Sequence, residues 1–194
     1  MNQSLLLELK QSAEKTLAKN KRFHDFAHAM EVLNNVVAII KNEGGDKDIL
    51  YAAALFHDAS NFQEKGMEGV DGAKIARKAL IKIKVFPRKK IKGVSDLIIS
   101  LDRQAMSLEE TILSDADELA SFSRLSVARG FMIYGSRGVT VKSAVEDFLR
   151  YIDKRYYSFK RKKSHTKTAR KLAEVRYPEI KKFLQSLYLC TRSK

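Results

Sequence analysis

The stretch Asp48-Ile49-Leu50-Tyr51-Ala52-Ala53-Ala54-Leu55-Phe56-His57-Asp58 decides how this chain is read. Its apolar residues run almost unbroken to Phe56, so a helix from Asp48 to Asp58 would be apolar over most of its surface and belongs in the core. That run delivers an imidazole and a carboxylate, side by side, to one place. Burying both would cost several kcal/mol unless something such as a metal ion compensates them. Partners stand on both sides of it, His28 upstream and Asp115 or Asp117 downstream. A His, His-Asp, Asp set holding a divalent cation is the reading that follows.

Outward from this segment, helical periodicity dominates. Leu5, Leu6, Leu9, Ala13 and Leu17 suit one face of a first amphipathic helix. Asp25 is an N-cap for a second, with Ala29, Val32, Val36, Val37 and Ile40 as its apolar side and Gly44-Gly45 as its stop. Asn61 to Gly72, carrying Gly66 and Gly69, reads as a loop. Helices are expected from there to about Lys84, with a break near Pro87, and from Lys90 to Leu101. Ser107-Leu108-Glu109-Glu110 has capping-box spacing and opens a helix from Leu108 to about Ser123. Leu125 to Tyr134, Val141 to Tyr157 and Ser164 to Tyr188 complete the set. No segment alternates with period two, so the expected fold is all-α. One domain over 1–194 is expected, with a motif core at about 22–138 and basic C-terminal helices at about 139–194.

The chain has 194 residues, 44% of them hydrophobic and 31% charged, enough for a sizeable core and unlike a disordered chain. The single cysteine, Cys190, excludes an intramolecular disulfide and a Cys-based zinc cluster. No apolar stretch approaches 18 residues and no secretory leader is recognisable, so no membrane partner and a cytoplasmic location are expected. The formal charge of +14 fits nucleic acids, anionic surfaces or small phosphorylated substrates. From Arg150 onward the only acids are Asp153, Glu174 and Glu179. The sequence does not set an oligomeric state.

Taken singly, each candidate ligand has an ordinary alternative. His28 fits a half-buried, hydrogen-bonded histidine one turn into its helix, Asp58 a helix-end residue and Asp117 a solvated helix acid. Asp115 and Asp117 point about 200° apart on a helix, so one of them faces the ion. His24 lies four residues before His28, but with Asp25 as cap it falls outside the helix and takes a structural role. His165, in a basic run, is expected to be exposed.

In combination these residues resemble the HD-domain metal-dependent phosphohydrolases. The pattern of that family is matched by His28 with Val32, by His57-Asp58, and by Ala116-Asp117-Glu118-Leu119. His24-Asp25-Phe26-Ala27-His28, Ala128-Arg129-Gly130-Phe131, Gly135-Ser136-Arg137-Gly138 and Thr168-Ala169-Arg170-Lys171-Leu172-Ala173 with Arg176-Tyr177 resemble a subgroup of small stand-alone HD hydrolases. The resemblance implies metal positions at His28, His57, Asp58 and Asp117. Asn61 stands where several relatives carry an acid, Ala120 replaces another, and no histidine occurs near Ser100-Leu101-Asp102, which favours a mononuclear site.

Mixed nitrogen and oxygen ligation suits Mn, Fe, Co, Ni, Zn or Mg. Glu64 is the candidate for orienting or deprotonating the attacking water, with Asp115 as the alternative. Lys65, Arg129 and Arg137 are candidates for holding substrate phosphate. A nucleotide is the expected substrate, cleaved at a phosphate ester or a phosphoanhydride. The rival is a nucleic-acid-binding protein with an inactive or structural metal site, supported by the aromatic and basic run Tyr151 to Lys163. A metal-dependent phosphodiesterase acting on oligonucleotides would combine the two.

Overall fold

A computed structural model describes residues 2–18, 25–60, 68–101, 103, 107–162 and 165–192. Among these residues there is no strand. They form the α-helices α1 (Gln3–Leu17), α2 (Phe26–Glu43), α3 (Lys47–Phe56), α4 (Glu68–Lys82), α5 (Ile91–Ser100), α6 (Leu108–Ala120), α7 (Arg124–Ser136), α8 (Val141–Arg161) and α9 (Lys167–Cys190). A 3-10 turn at Arg88–Lys90 precedes α5. The fold is all-α. No described helix is long and apolar enough to cross a membrane.

Contacts divide the chain into two compact units, Met1–Asp117 and Glu118–Lys194. In the first, α3 packs against α1, α2, α4 and α5, and Leu50 and Ala52 to Phe56 are fully buried. Its ends are set by short polar side chains. Asp46 accepts from the N–H groups of Asp48 and Ile49 at 2.9 and 3.2 Å, satisfying donors that the first turn leaves open. Lys90 then ties Asp46 and Asp48 together at 2.8 and 2.6 Å. Gly44 and Gly45, at φ +81° and +108°, end α2 in backbone that other residues avoid. The expected capping box opens α6: the Ser107 N–H donates to Glu110 Oε2 at 2.9 Å, and the Glu110 N–H to Ser107 Oγ at 3.2 Å.

The second unit rests on α8 against α9. Phe148, Ile152, Tyr156 and Phe159 face inward from α8, and Ala173, Tyr177, Ile180 and Leu184 from α9. Tyr156 and Tyr177 stack at 3.8 Å between centroids. Those α8 rings therefore build core instead of a base-stacking surface, while Tyr151 and Tyr157 stay exposed. Gly130 lets α7 approach α8, since a Cβ there would lie 2.1 Å from the Phe148 ring. This unit also holds most of the positive charge, with 19 Lys and Arg against six Asp and Glu in 118–194.

Several expectations need correction. The loop expected over Asn61 to Gly72 is already helix from Glu68. Gly72 serves close packing there, because a Cβ on it would lie 3.3 Å from the His57 carbonyl oxygen. Helix α6 stops at Ala120 and not Ser123, as Ser121 and Phe122 turn back to the carbonyls of Glu118 and Leu119. Ser123 instead caps α7, accepting from the Ser126 N–H at 3.0 Å. Helix α8 continues past Tyr157 to Arg161, and α9 starts behind Thr166 and runs through Pro178 to Cys190. His165 is buried, its ring stacked 3.7 Å from that of Phe159.

Candidate metal centre

Helix α2 begins where Asp25 accepts the His28 N–H at 3.1 Å, which places the His28 side chain one turn in, at 3% exposure. His24 lies outside the described residues. Helix α3 ends at Phe56, and His57 is its C-cap. The last carbonyls of a helix lack intrahelical donors, and one of them is used here: His57 Nδ1 donates to the Ala54 carbonyl at 2.9 Å. A carbonyl can only accept, so Nδ1 carries a proton and Nε2 is the nitrogen turned to the interior of the site, the one left to ligate an ion.

At that point the ligand atoms converge. His57 Nε2 lies 3.3 Å from His28 Nε2. Asp58 Oδ2 is 3.2 Å from His28 Nε2 and 3.1 Å from His57 Nε2. Asp117 Oδ1 is 3.3 and 3.6 Å from the same two atoms. The imidazoles are buried, whereas the Asp58 and Asp117 side chains keep 17% and 38% of their surface.

The mutual spacings of His28, His57 and Asp58 suit a metal ion, and Asp117 stands within reach of both imidazoles. Ligand atoms about 2.1 Å from a shared ion lie about 3.0 Å apart at right angles and about 3.4 Å apart at tetrahedral angles. The chemistry agrees, because two facing imidazole nitrogens and two carboxylates call for positive charge between them. The titration behaviour reflects the same demand. Burial acts to lower the His57 pKa, but Asp58 and Asp117 outweigh it and raise it well above 6.5. Burial acts to raise Asp117, and the imidazoles of His28 and His57 overcome it, holding that carboxyl well below the usual range.

Of the residues singled out from sequence, the fold gathers His28, His57, Asp58 and Asp117. Asp115 is 1% exposed and projects from the opposite side of α6 by helical geometry. Glu64 and Lys65 lie outside the described residues, as does Asn61. Arg129, on α7, and Arg137, at its C-cap, belong to the second unit. One residue escaped the sequence reading. Asn35 is 2% exposed, and its Nδ2 donates to the Ala116 carbonyl at 2.8 Å. Its signal is an amide seven residues after His28 on the apolar side that carries Val32, Val36 and Ile39, next to the exposed Asn34.

Among the described residues an all-helical frame carries a His-His-Asp grouping that could hold a metal ion. The HD domain model matches residues 25–121, half of the chain, and the chain belongs to the HD-domain family. It is an enzyme, a metal-dependent phosphohydrolase of that family.

Solved structures similar to it include an HD-superfamily hydrolase from Bacillus thuringiensis, at 24% identity and TM-score 0.66, covering 95% of both chains. A predicted HD-superfamily hydrolase from an uncultured Thermotogales bacterium is 25% identical, with TM-score 0.63, over 96% of this chain and 97% of that one. Bacillus subtilis YpgQ, solved in complex with ADP, is 22% identical, with TM-score 0.67, over 95% and 93%. No curated protein matches the chain.

Proposed function

We propose that the chain hydrolyses a phosphate ester or phosphoanhydride of a nucleotide at one divalent cation held by His28, His57, Asp58 and Asp117. The observation that carries this reading is the meeting of two buried Nε2 atoms with two carboxylates at 3.1 to 3.6 Å. A bound Mn, Fe, Co, Ni, Zn or Mg ion would lower the pKa of water and polarise phosphorus.

The chain's own groups do the rest. His57 is held in the ligating tautomer by Ala54. Asp58 and Asp117 balance the ion's charge. Water is oriented or deprotonated by Glu64, with Asp115 as the second candidate; Asp115 would have to act from behind Asp117. Lys65, Arg129 and Arg137 would bind phosphate oxygens, the guanidinium groups in bidentate fashion. Support for a nucleotide comes from the net charge of +14 and from the ADP bound by the similarly folded YpgQ. The whole of 1–194 serves as one HD-type domain in this reading, consistent with relatives of matching length.

The test is phosphate release from a panel of nucleotides and short oligonucleotides with Mn, Mg, Co, Ni or Zn, comparing wild type with Asp58→Ala. A coupled pyrophosphatase separates ester cleavage from pyrophosphate release. Metal-dependent release that Asp58→Ala abolishes is the expected outcome. Full metal content and full turnover in that variant would overturn the site, and a preference for oligonucleotides would move the substrate class.

A further inference from the structure

Asp117 stands in the final turn of α6, which ends at Ala120. Carbonyls of a last turn have no intrahelical donors, and such turns fray. A carboxylate that must meet a ligand atom from another helix needs that turn held still. The residue just before it, Ala116, is fully buried, and its carbonyl accepts the Asn35 side-chain N–H at 2.8 Å across 81 residues of sequence.

Asn35 also has a fixed relation to His28. Seven residues make about two helical turns, so both project from nearly the same face of α2. That face approaches α6 at His28 Nε2 with Asp117 Oδ1, 3.3 Å apart, and at Asn35 with Ala116. One contact would leave α6 free to pivot about it, whereas two set its rotation and its height. Asn35 spans the two helices whose proposed ligands are furthest apart in sequence.

We infer that Asn35 is a positioning residue that locks the Asp117 carboxylate against His28 by pinning the Ala116 carbonyl. The inference rests on the proposed metal site. Outer groups that orient ligands typically change metal affinity 10–100-fold when removed.

The experiment uses the full chain and titrates Mn(II), reading free ion by electron paramagnetic resonance, with far-ultraviolet circular dichroism and thermal midpoint recorded beside it. Asn35→Leu removes the amide, and Asn35→Asp keeps the shape while losing the N–H donor. The expected result is unchanged helicity, with the Mn(II) dissociation constant raised about 10- to 100-fold in both variants. Turnover at saturating Mn(II) should recover by more than it does at limiting ion. A lowered thermal midpoint with wild-type Mn(II) affinity would show a merely structural amide and overturn the inference. Should Asn35→Leu fail to fold, Asn35→Asp decides on the same readout. If the wild-type chain itself takes up no Mn(II), the metal reading falls and takes this inference with it; tight wild-type uptake with unaffected variants sinks the inference alone.

Discussion

Asp58 is the carboxylate that touches both buried imidazole nitrogens at 3.2 Å or less, so its loss should be the most costly single truncation at the site. Asp58→Ala is expected to lose stoichiometric metal, read by elemental analysis after gel filtration, while far-ultraviolet dichroism stays close to wild type. That His28, His57, Asp58 and Asp117 would come together was legible because their order and spacing form a motif, although each was ambiguous alone. His165 was not legible. Its basic neighbours suggested solvent, but a ring can turn inward from such a run, and only packing shows that it lies on Phe159. His165→Ala should therefore lower stability by about 2 kcal/mol or more, as expected for emptying a stacked, buried ring site. A urea titration checks this; a change under half of that would mean the pocket closes up at little cost.

At the next level up, two helix starts were read from their caps, while several other helix bounds were not. Asp25 and Ser107 each cap a helix as their spacing implied, because a short side chain can reach N–H groups that the first turn leaves unpaired; Asp46 does the same for α3 without having been singled out in the sequence. Glycines were read worst. Gly66 and Gly69 suggested a loop as far as Gly72, since glycine is permissive in turns, but the chain is helical from Glu68, and Gly72 lets α4 approach the His57 carbonyl. Local sequence cannot distinguish a glycine that frees the backbone from one that admits a neighbour. Gly130 is of the second kind. Gly130→Ala would drive its new methyl into the Phe148 ring, and overpacking of this sort costs about 1–3 kcal/mol. The expected outcome is a lower midpoint in urea with unchanged Mn(II) affinity, measured on the same samples. A wild-type midpoint would show that Phe148 turns aside freely.

Over the whole molecule, stability should form a plateau with two limbs. Asp46 and Asp48 have pKa values lowered from 3.8. For Asp46, burial is outweighed by Lys90 and by the N–H groups of Ile49 and Asp48; for Asp48, Lys90 is the leading cause. Groups with depressed folded pKa values contribute stability above the unfolded value, and that contribution is lost as pH falls. The acid limb therefore lies below about pH 4. Tyr177 is pushed up to about 12 by burial and by its hydrogen bond to Asp153. A raised pKa works the other way, so its share is complete below pH 10 and disappears as pH climbs through 12. Thermal midpoint against pH should show both limbs. Lys90→Met should lower the plateau and flatten the acid limb, because Asp46 and Asp48 lose the partner that depresses their pKa values, and leave the alkaline limb in place. The net charge of +14 adds a kinetic expectation: kcat/KM for an anionic substrate should fall with added salt while kcat changes little, because screening weakens attraction at a distance.

The proton on His57 Nδ1 is held by a main-chain acceptor, and this gives one part of the site an unusual kind of durability. Whatever amino acid occupies position 54 brings the same carbonyl oxygen, so no exchange there removes the group that orients the imidazole. Ala54→Ser should leave the tautomer intact, visible as an unchanged nitrogen shift pattern for His57. Two residues inserted between Phe56 and His57 should erase it. What this chain hands down to its descendants at that point is the place where a helix stops, and side chains around it are free to drift as long as that stop is kept.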